Sequence, residues 1–271
     1  MRWLLAFLVS ALLFGGPPKR VVSQTVGTDE LLLALAEPAQ IVVLSHLSRD
    51  PEYSAVATEA ARFPQLSQGD TETILRHRPD LVLVSSYTRP ELLAQLQRSG
   101  TKVFRFDHFN TLEEVYAGLR TLGDLLGARP KAEAVIRSCQ DRVKALAARL
   151  QGVVPKRVLV PSVYGFTAGR DTTFQDLCEH AGAVNVAAEA GLTGHAPTPS
   201  EAMLAWKVDA LVLSKEDSFE KIRALPPYKF MAVTRAKRFV TIPGVYLSSV
   251  THHRIAGYEA MAKALHPERF R

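Results

Sequence analysis

Five stretches gather the side chains best able to hold a ligand. They are SHLSRD with His46 and Arg49, SSYTRP with Tyr87 and Arg89, VYGFTAGRD with Tyr164, Phe166 and Arg170, GLTGHAP with His195, and GVYLSSVTHHR with Tyr246, His252, His253 and Arg254. Flat rings suit a large planar or macrocyclic molecule, and guanidinium groups suit carboxylates or phosphates carried on it. His252 and His253 lack a second pair at metal-ligand spacing, so hydrogen bonding in a cleft or capping of the last helix fits them better than coordination. A set of His46, His195 and His252 around bare zinc or manganese is the alternative, though no His-rich acidic loop accompanies it. Covalent and phosphate chemistry have no foothold. The chain contains no G-x-S-x-G, GxxxxGK[ST], H-E-x-x-H, C-x-x-C or G-x-G-x-x-G.

Stepping outward from those loops, each is expected to follow a strand. Apolar runs at 21–23, 41–45, 80–86 and 102–106, and again at 157–162, 209–214 and 238–244, are continuous rather than alternating, as in parallel strands buried on both faces. Helical patterns lie between them. The first is expected to be capped by Thr28 and Asp29, one is TFQDLCEHAG ending at Gly182, and the last runs from about His253 to Leu265. The middle of the chain is purely helical, from Thr111 to Leu126 and from Pro130 to Leu150, the second with Ala134, Val135, Cys139, Val143, Leu146 and Leu150 on one face. The spacing predicts an α/β fold of two similar lobes, mainly with parallel sheets, joined by one long backbone helix. The divisions are 1–18, 19–126 (N-terminal lobe), 127–152 (connecting helix) and 153–271 (C-terminal lobe).

One near-repeat supports the duplication. GDTETILRHRPDLVLVS at 69–85 and TPSEAMLAWKVDALVLS at 198–214 each place a Glu (Glu72, Glu201) after a capping Asp or Ser, then a Leu, an Asp and a strand. A short helix feeding a strand is expected in each half.

Residues 1–18 read as a secretory signal peptide: a single Arg, an apolar run from Leu4 to Phe14 and two small residues, Gly15 and Gly16. That run is shorter than the roughly 20 residues that span a bilayer, and no Cys near it could carry a lipid. Export is the expectation, with an uncleaved anchor or a mis-set start as the alternatives. Cys139 and Cys178 are expected as buried free thiols, because they fall in different halves of the chain. A net charge of +6 is spread among acids, with only RAKR (235–238) dense, so a solvated turn is expected there and no nucleic-acid surface.

The chain resembles the periplasmic substrate-binding proteins of ABC importers for corrinoids, ferric siderophores and haem, over about residues 19–267. The resemblance is carried by RVVSQTVGTDELLLAL, GDTETILRHRPDLVLV, LGDLLG before the long helix, GFTAGRDTTFQDLCEHAGAVNV and PSEAMLAWKVDALVLS. It implies a binding protein, not an enzyme, with no required cofactor and no protein-bound metal, probing its ligand as a monomer between the lobes. The ligand it implies is a corrinoid or iron chelate, and the partner an ABC permease dimer with its ATPase. Glu72 and Glu201 match the two positions that meet permease arginines; support of a helix N-terminus is the other role open to them. Phe166 matches an aromatic that presses on the corrin in vitamin-B12-binding members, whereas Leu66 and His195 stand where those members have Trp. Tyr87 lies in the loop that supplies an iron-coordinating Tyr in haem-binding members. A chelatase-like enzyme and a sensor that keeps the fold without transport are the competing classes.

Overall fold

The computed structural model describes residues 16–215 and 218–271; the apolar N-terminal run lies outside them. Four short parallel strands, β1 (Val21–Ser23), β2 (Ile41–Val43), β3 (Leu81–Ser85) and β4 (Lys102–Phe106), form a sheet in the order β2-β1-β3-β4. In the second half β5 (Lys156–Leu159), β6 (Phe166–Ala168), β7 (Ala183–Asn185), β8 (His195–Pro197), β9 (Ala210–Leu213) and β10 (Phe239–Thr241) follow. Of these, β10-β9-β5-β7 make a second parallel sheet, and β6 pairs with β8 antiparallel.

The continuous apolar runs are explained by two-sided burial. Successive side chains of a strand point to opposite faces. Accordingly Val21, Leu81 and Leu83 enter the cluster with Leu31, Leu35 and Leu119, while Val22, Val82 and Val84 enter the one with Leu66, Ile74 and Leu96. The second sheet divides likewise: Val158 and Val212 face the larger core, Leu159, Leu211 and Leu213 the smaller.

The helix Arg129–Arg149 is the connector, roughly 30 Å long at 1.5 Å per residue. It packs against the helices Val26–Leu35 and Leu112–Leu126 of the first half and against Thr173–His180 and Arg254–Leu265 of the second. Its buried stripe is Ala132, Ile136, Cys139 and Leu146, with Val135, Val143 and Leu150 partly covered. Ala134 is exposed, a correction to the expected face: a straight 3.6-residue period carries the stripe through 132 and 136. Before it, Gly127 closes the preceding helix in the left-handed region (φ 69°), which a side chain would oppose. Both cysteines are free and buried, and RAKR is exposed as expected.

Two local expectations change. The first helix starts earlier than expected, at Val26, because Thr25 and Thr28 cap each other: Thr25 Oγ1 accepts from Thr28 N (3.3 Å) and Thr28 Oγ1 from Thr25 N (3.2 Å). Asp29 is therefore no cap but a fully buried side chain. In the near-repeat, Asp70 caps the helix Thr71–Arg76 through Thr73 N (2.9 Å), yet Ser200 caps nothing; Glu201 precedes only a 3-10 turn, Ala202–Ala205. That segment thus lacks the stabilisation of about 1 kcal/mol that a capping side chain gives a helix start.

Candidate functional site

A cavity of about 700 Å³ opens between the two halves, where the loops leave the C-terminal ends of the parallel strands. The first half supplies the start of the first helix (Gln24 to Gly27, and Glu30), the loop after β2 (Ser45 to Leu47, Glu52, Tyr53) and the loop after β3 (Tyr87 to Arg89). The second half supplies Ser214 and Lys215 after β9 and residues 244, 245 and 248–250 after β10. Ligands of open parallel sheets bind at such strand ends because the chain there is free of ladder bonds.

The carboxyl of Glu30 lies on the floor, and that of its neighbour Asp29 is buried outside the lining. Asp29 accepts hydrogen bonds from Ser45 N (3.0 Å) and Ser45 Oγ (2.5 Å). Glu30 accepts from Ala55 N (3.1 Å) through Oε1 and from the Thr251 hydroxyl through Oε2, so one carboxylate ties the loop after β2 to the opposite half. Burial pushes Asp29 up to about 7 against the hydrogen bonds from Ser23 and Ser45, and the neighbouring Glu30 adds to the rise. Burial likewise pushes Glu30 up to about 7, opposed by Thr251 and Ala55. The helix start is pressed on the other half: a Cβ on Gly27 would come within 2.7 Å of Val250 Cγ2 and 3.9 Å of Tyr87 Oη.

The expected ligand residues divide by position. Tyr87 is on the cavity wall, 59% exposed, with its ring edge-on to Phe109 at 6.4 Å. Tyr246 is half-buried in the short helix Gly244–Leu247, whose Gly244 and Val245 line the cavity. Tyr164, Phe166 and His195 are exposed on the β6–β8 unit, outside the cavity lining, with Phe166 opposite Pro197 and His195 opposite Ala168. Arg170 donates through Nε to Ala188 O (3.2 Å), bracing that unit. His252 and His253 sit beside the last helix with rings 4.2 Å apart. Burial, then His253 and Arg142, press His252 down to about 3, and burial and Arg142 lower His253. His253 occupies the N-cap position without a side-chain cap bond, and Thr251 Oγ1 accepts from its N–H instead (3.3 Å), so the expected capping by His is corrected. His46 lines the cavity while His195 and His252 do not; among the described residues no three His, Cys, Asp or Glu side chains are grouped to hold a metal. Leu66 is core, not cleft.

Sequence reading missed Glu30, Glu52, Tyr53 and Lys215. The usable signals were positional: Lys215 directly follows the β9 run, and Glu52 and Tyr53 follow the β2 run.

These two buried carboxyls make stability depend on pH. Their folded values exceed the unfolded values of about 4, so their contribution is full below about pH 4 and is lost as pH rises through about 7. The lowered His252 has the opposite sign: its contribution is present above about pH 6.5 and lost as pH falls. Between about pH 6.5 and 7.5 His252 and His253 offset part of the carboxyl effect, and above that they add no further change. Raising pH from about 6.5 to about 8 is expected to lower the urea midpoint, and Glu30→Gln to flatten the dependence. An unchanged slope in that variant would remove Glu30 as a titrating group.

Comparison with known proteins places this geometry. The model of the family described as "Periplasmic binding protein" matches residues 21–246. A cobalamin-binding protein of Halobacterium salinarum is 28% identical over 202 residues, 72% of this chain and 53% of the relative, so the chain spans about half the length of that relative. An uncharacterized ABC transporter substrate-binding lipoprotein of Bacillus subtilis, YvrC, is 23% identical over 274 residues, covering 94% of this chain and 82% of the relative. A crystal structure of a periplasmic haem-binding protein from Pseudomonas aeruginosa superposes with a TM-score of 0.76 at 24% identity, over 92% of this chain and 93% of that one. The last likeness establishes the fold.

Proposed function

The chain belongs to the periplasmic binding protein family, and from that premise we propose that it is the exported substrate-binding component of an ABC importer. In this reading it captures a corrinoid or a ferric siderophore between its lobes and delivers it to a permease dimer served by an ATPase. The observation that carries the reading is the cavity of about 700 Å³, built jointly by strand-end loops of both halves and carrying Tyr53 and Tyr87 on its walls. That volume is within the range of small-molecule sites, roughly 300–1,000 Å³. The name of the Halobacterium relative favours a corrinoid. The helix Arg129–Arg149, packed on both halves, favours lobes that move little as the ligand enters.

A second ligand, haem, is favoured by one feature. Tyr87 presents an exposed phenol at the cavity wall, ring braced against Phe109, where it could bond iron. No catalytic step is assigned.

The test is a visible absorption spectrum of the purified protein after incubation with cobalamin, cobinamide, haemin and a ferric siderophore in turn, each followed by desalting. One coloured ligand retained at one per chain is the expected result, and a tyrosinate-iron band lost in Tyr87→Phe would select haem. Loss of all four would overturn the reading. Tyr87→Ala is expected to weaken a retained macrocycle by about tenfold, from the loss of roughly 1.5 kcal/mol of ring contact, without unfolding. Phe166, outside the cavity lining, contributes only to a ligand that extends beyond the cavity, and unchanged affinity in Phe166→Ala would take it out of the ligand's reach.

A further inference from the structure

Across the mouth of the same cavity, Lys215 Nζ of the second half meets Glu52 Oε1 of the first at 2.5 Å. Both side chains line the cavity and both are more than half exposed, 56% and 61%. Glu52 is held firmly. Its N–H donates to Asp50 Oδ1 (2.9 Å), Ser54 N closes the turn on Asp50 O (2.8 Å), and Ala55 N binds the floor carboxylate Glu30 (3.1 Å). Glu30 in turn holds Thr251 of the other half. The lobes are thus fastened twice around one cavity, at the floor by Glu30 and Thr251 and at the mouth by Glu52 and Lys215.

A ligand entering this cleft has to pass the mouth pair. A neutral ligand separates the two charges and offers neither a replacement. A ligand with a carboxylate or phosphate on its rim offers Lys215 a replacement for Glu52; of the other ionisable side chains of the wall, His46 and Arg89 are basic, and the acid Glu30 is engaged by Ala55 N and the Thr251 hydroxyl. The balance is well suited to exchange, because an exposed ion pair is weak, while a charge-assisted hydrogen bond in a more enclosed site is stronger.

We infer that Glu52 and Lys215 form a clasp that selects ligands bearing an acid group, which takes Lys215 from Glu52 on entry. The inference rests on the reading that the ligand occupies this cavity. It adds to that reading a ligand class, a large ring with at least one rim acid, and a residue that reads it.

The experiment compares probes that differ only in the acid: haemin against its dimethyl ester, and a cobalamin monocarboxylic acid against cyanocobalamin. Each is titrated into the wild-type protein, Lys215→Ala and Glu52→Gln by visible absorbance. The wild type is expected to bind the acid member about tenfold more tightly than its neutral counterpart. Lys215→Ala is expected to erase that preference by weakening the acid probes, while the neutral probes, no longer separating an ion pair, bind as well as before or slightly more tightly. Glu52→Gln is expected to tighten the acid probe three- to fivefold at low salt, the equivalent of losing a surface ion pair as competitor, with the gain fading at about 0.5 M salt. The same acid-to-neutral ratio in wild type and Lys215→Ala would overturn the clasp.

Should no probe bind, the importer reading fails, and the clasp is decided separately. Spin labels at Thr58→Cys and Lys221→Cys report the lobe separation, the two native thiols being buried. The clasp requires Lys215→Ala to broaden the distance distribution, and sodium acetate to broaden the wild-type distribution more than sodium chloride at equal ionic strength. An identical distribution in all three would overturn it.

Discussion

Asp176→Ala is expected to destabilise the fold by about 3–5 kcal/mol, the usual consequence of leaving one member of a buried ion pair alone. Arg254 is 2% exposed and Asp176 3%, and they meet at 2.9 Å. Arg254 also donates to Phe109 O, Asn110 O (3.1 Å) and Ser249 O (3.2 Å). Asp176 accepts from Leu112 N (3.2 Å) and from the Tyr258 hydroxyl. Leu112 begins a helix of the first half, whereas Asp176, Arg254 and Tyr258 belong to helices of the second. The network therefore fastens the halves behind the cleft, and its loss strands a guanidinium in a dry interior. Urea unfolding would show the effect as a lower midpoint with an unchanged slope, and the thermal midpoint would fall by roughly 10 °C. Replacing both partners together, Asp176→Leu with Arg254→Met, is expected to recover much of the loss, since an apolar pair needs no counter-charge. A single-variant change under about 1 kcal/mol would mean that water reaches the pair.

Replacing Glu72 and Glu201 together by Ala is expected to leave ligand affinity unchanged and to reduce uptake by an order of magnitude or more. Charge pairs across such an interface carry coupling of about 1.5–7 kcal/mol, expressed mainly in orientation and encounter. The structure also predicts an inequality between the two. Glu72 already pairs with Arg76 at 2.6 Å, both side chains largely exposed, while Glu201 has no ion pair among the described residues. If the two acids dock as proposed, Glu72 exchanges one cation for another, so Glu201→Ala alone is expected to impair uptake more than Glu72→Ala alone, and Arg76→Ala to improve docking slightly. Transport assayed in vesicles containing the cognate permease measures this. Equal transport by the double variant would remove both residues from docking.

The architecture was legible because its signals are local. A run such as LVLVS needs both faces covered wherever it sits, and every residue of β3 is buried. The periodicity of 129–149 likewise announced a connecting helix, although the stripe runs through Ala132 and Ile136 rather than Ala134. The near-repeat announced two related halves but not their local difference, because Asp70 caps and Ser200 does not. For the site, the loops were legible and the individual residues much less so. Tyr87 reaches the cavity wall, while Tyr164 and Phe166 stand on β6 and its approach, which reads as loop and becomes ordered only by pairing with β8.

By itself the amino-acid sequence determined the parallel strands, the helix that joins the halves, the two related lobes and the chemistry available at the strand ends, since each follows from the order and type of near neighbours. Only the tertiary structure decided which of those groups meet. Asp176 and Arg254 lie 78 residues apart, Glu52 and Lys215 lie 163 apart, and Glu30 and Thr251 lie 221 apart. Contacts at such separations, and the burial that raises Asp29 and Glu30 toward neutrality, arise from how the two sheets are set across the connecting helix, a relation that no local pattern of side chains encodes.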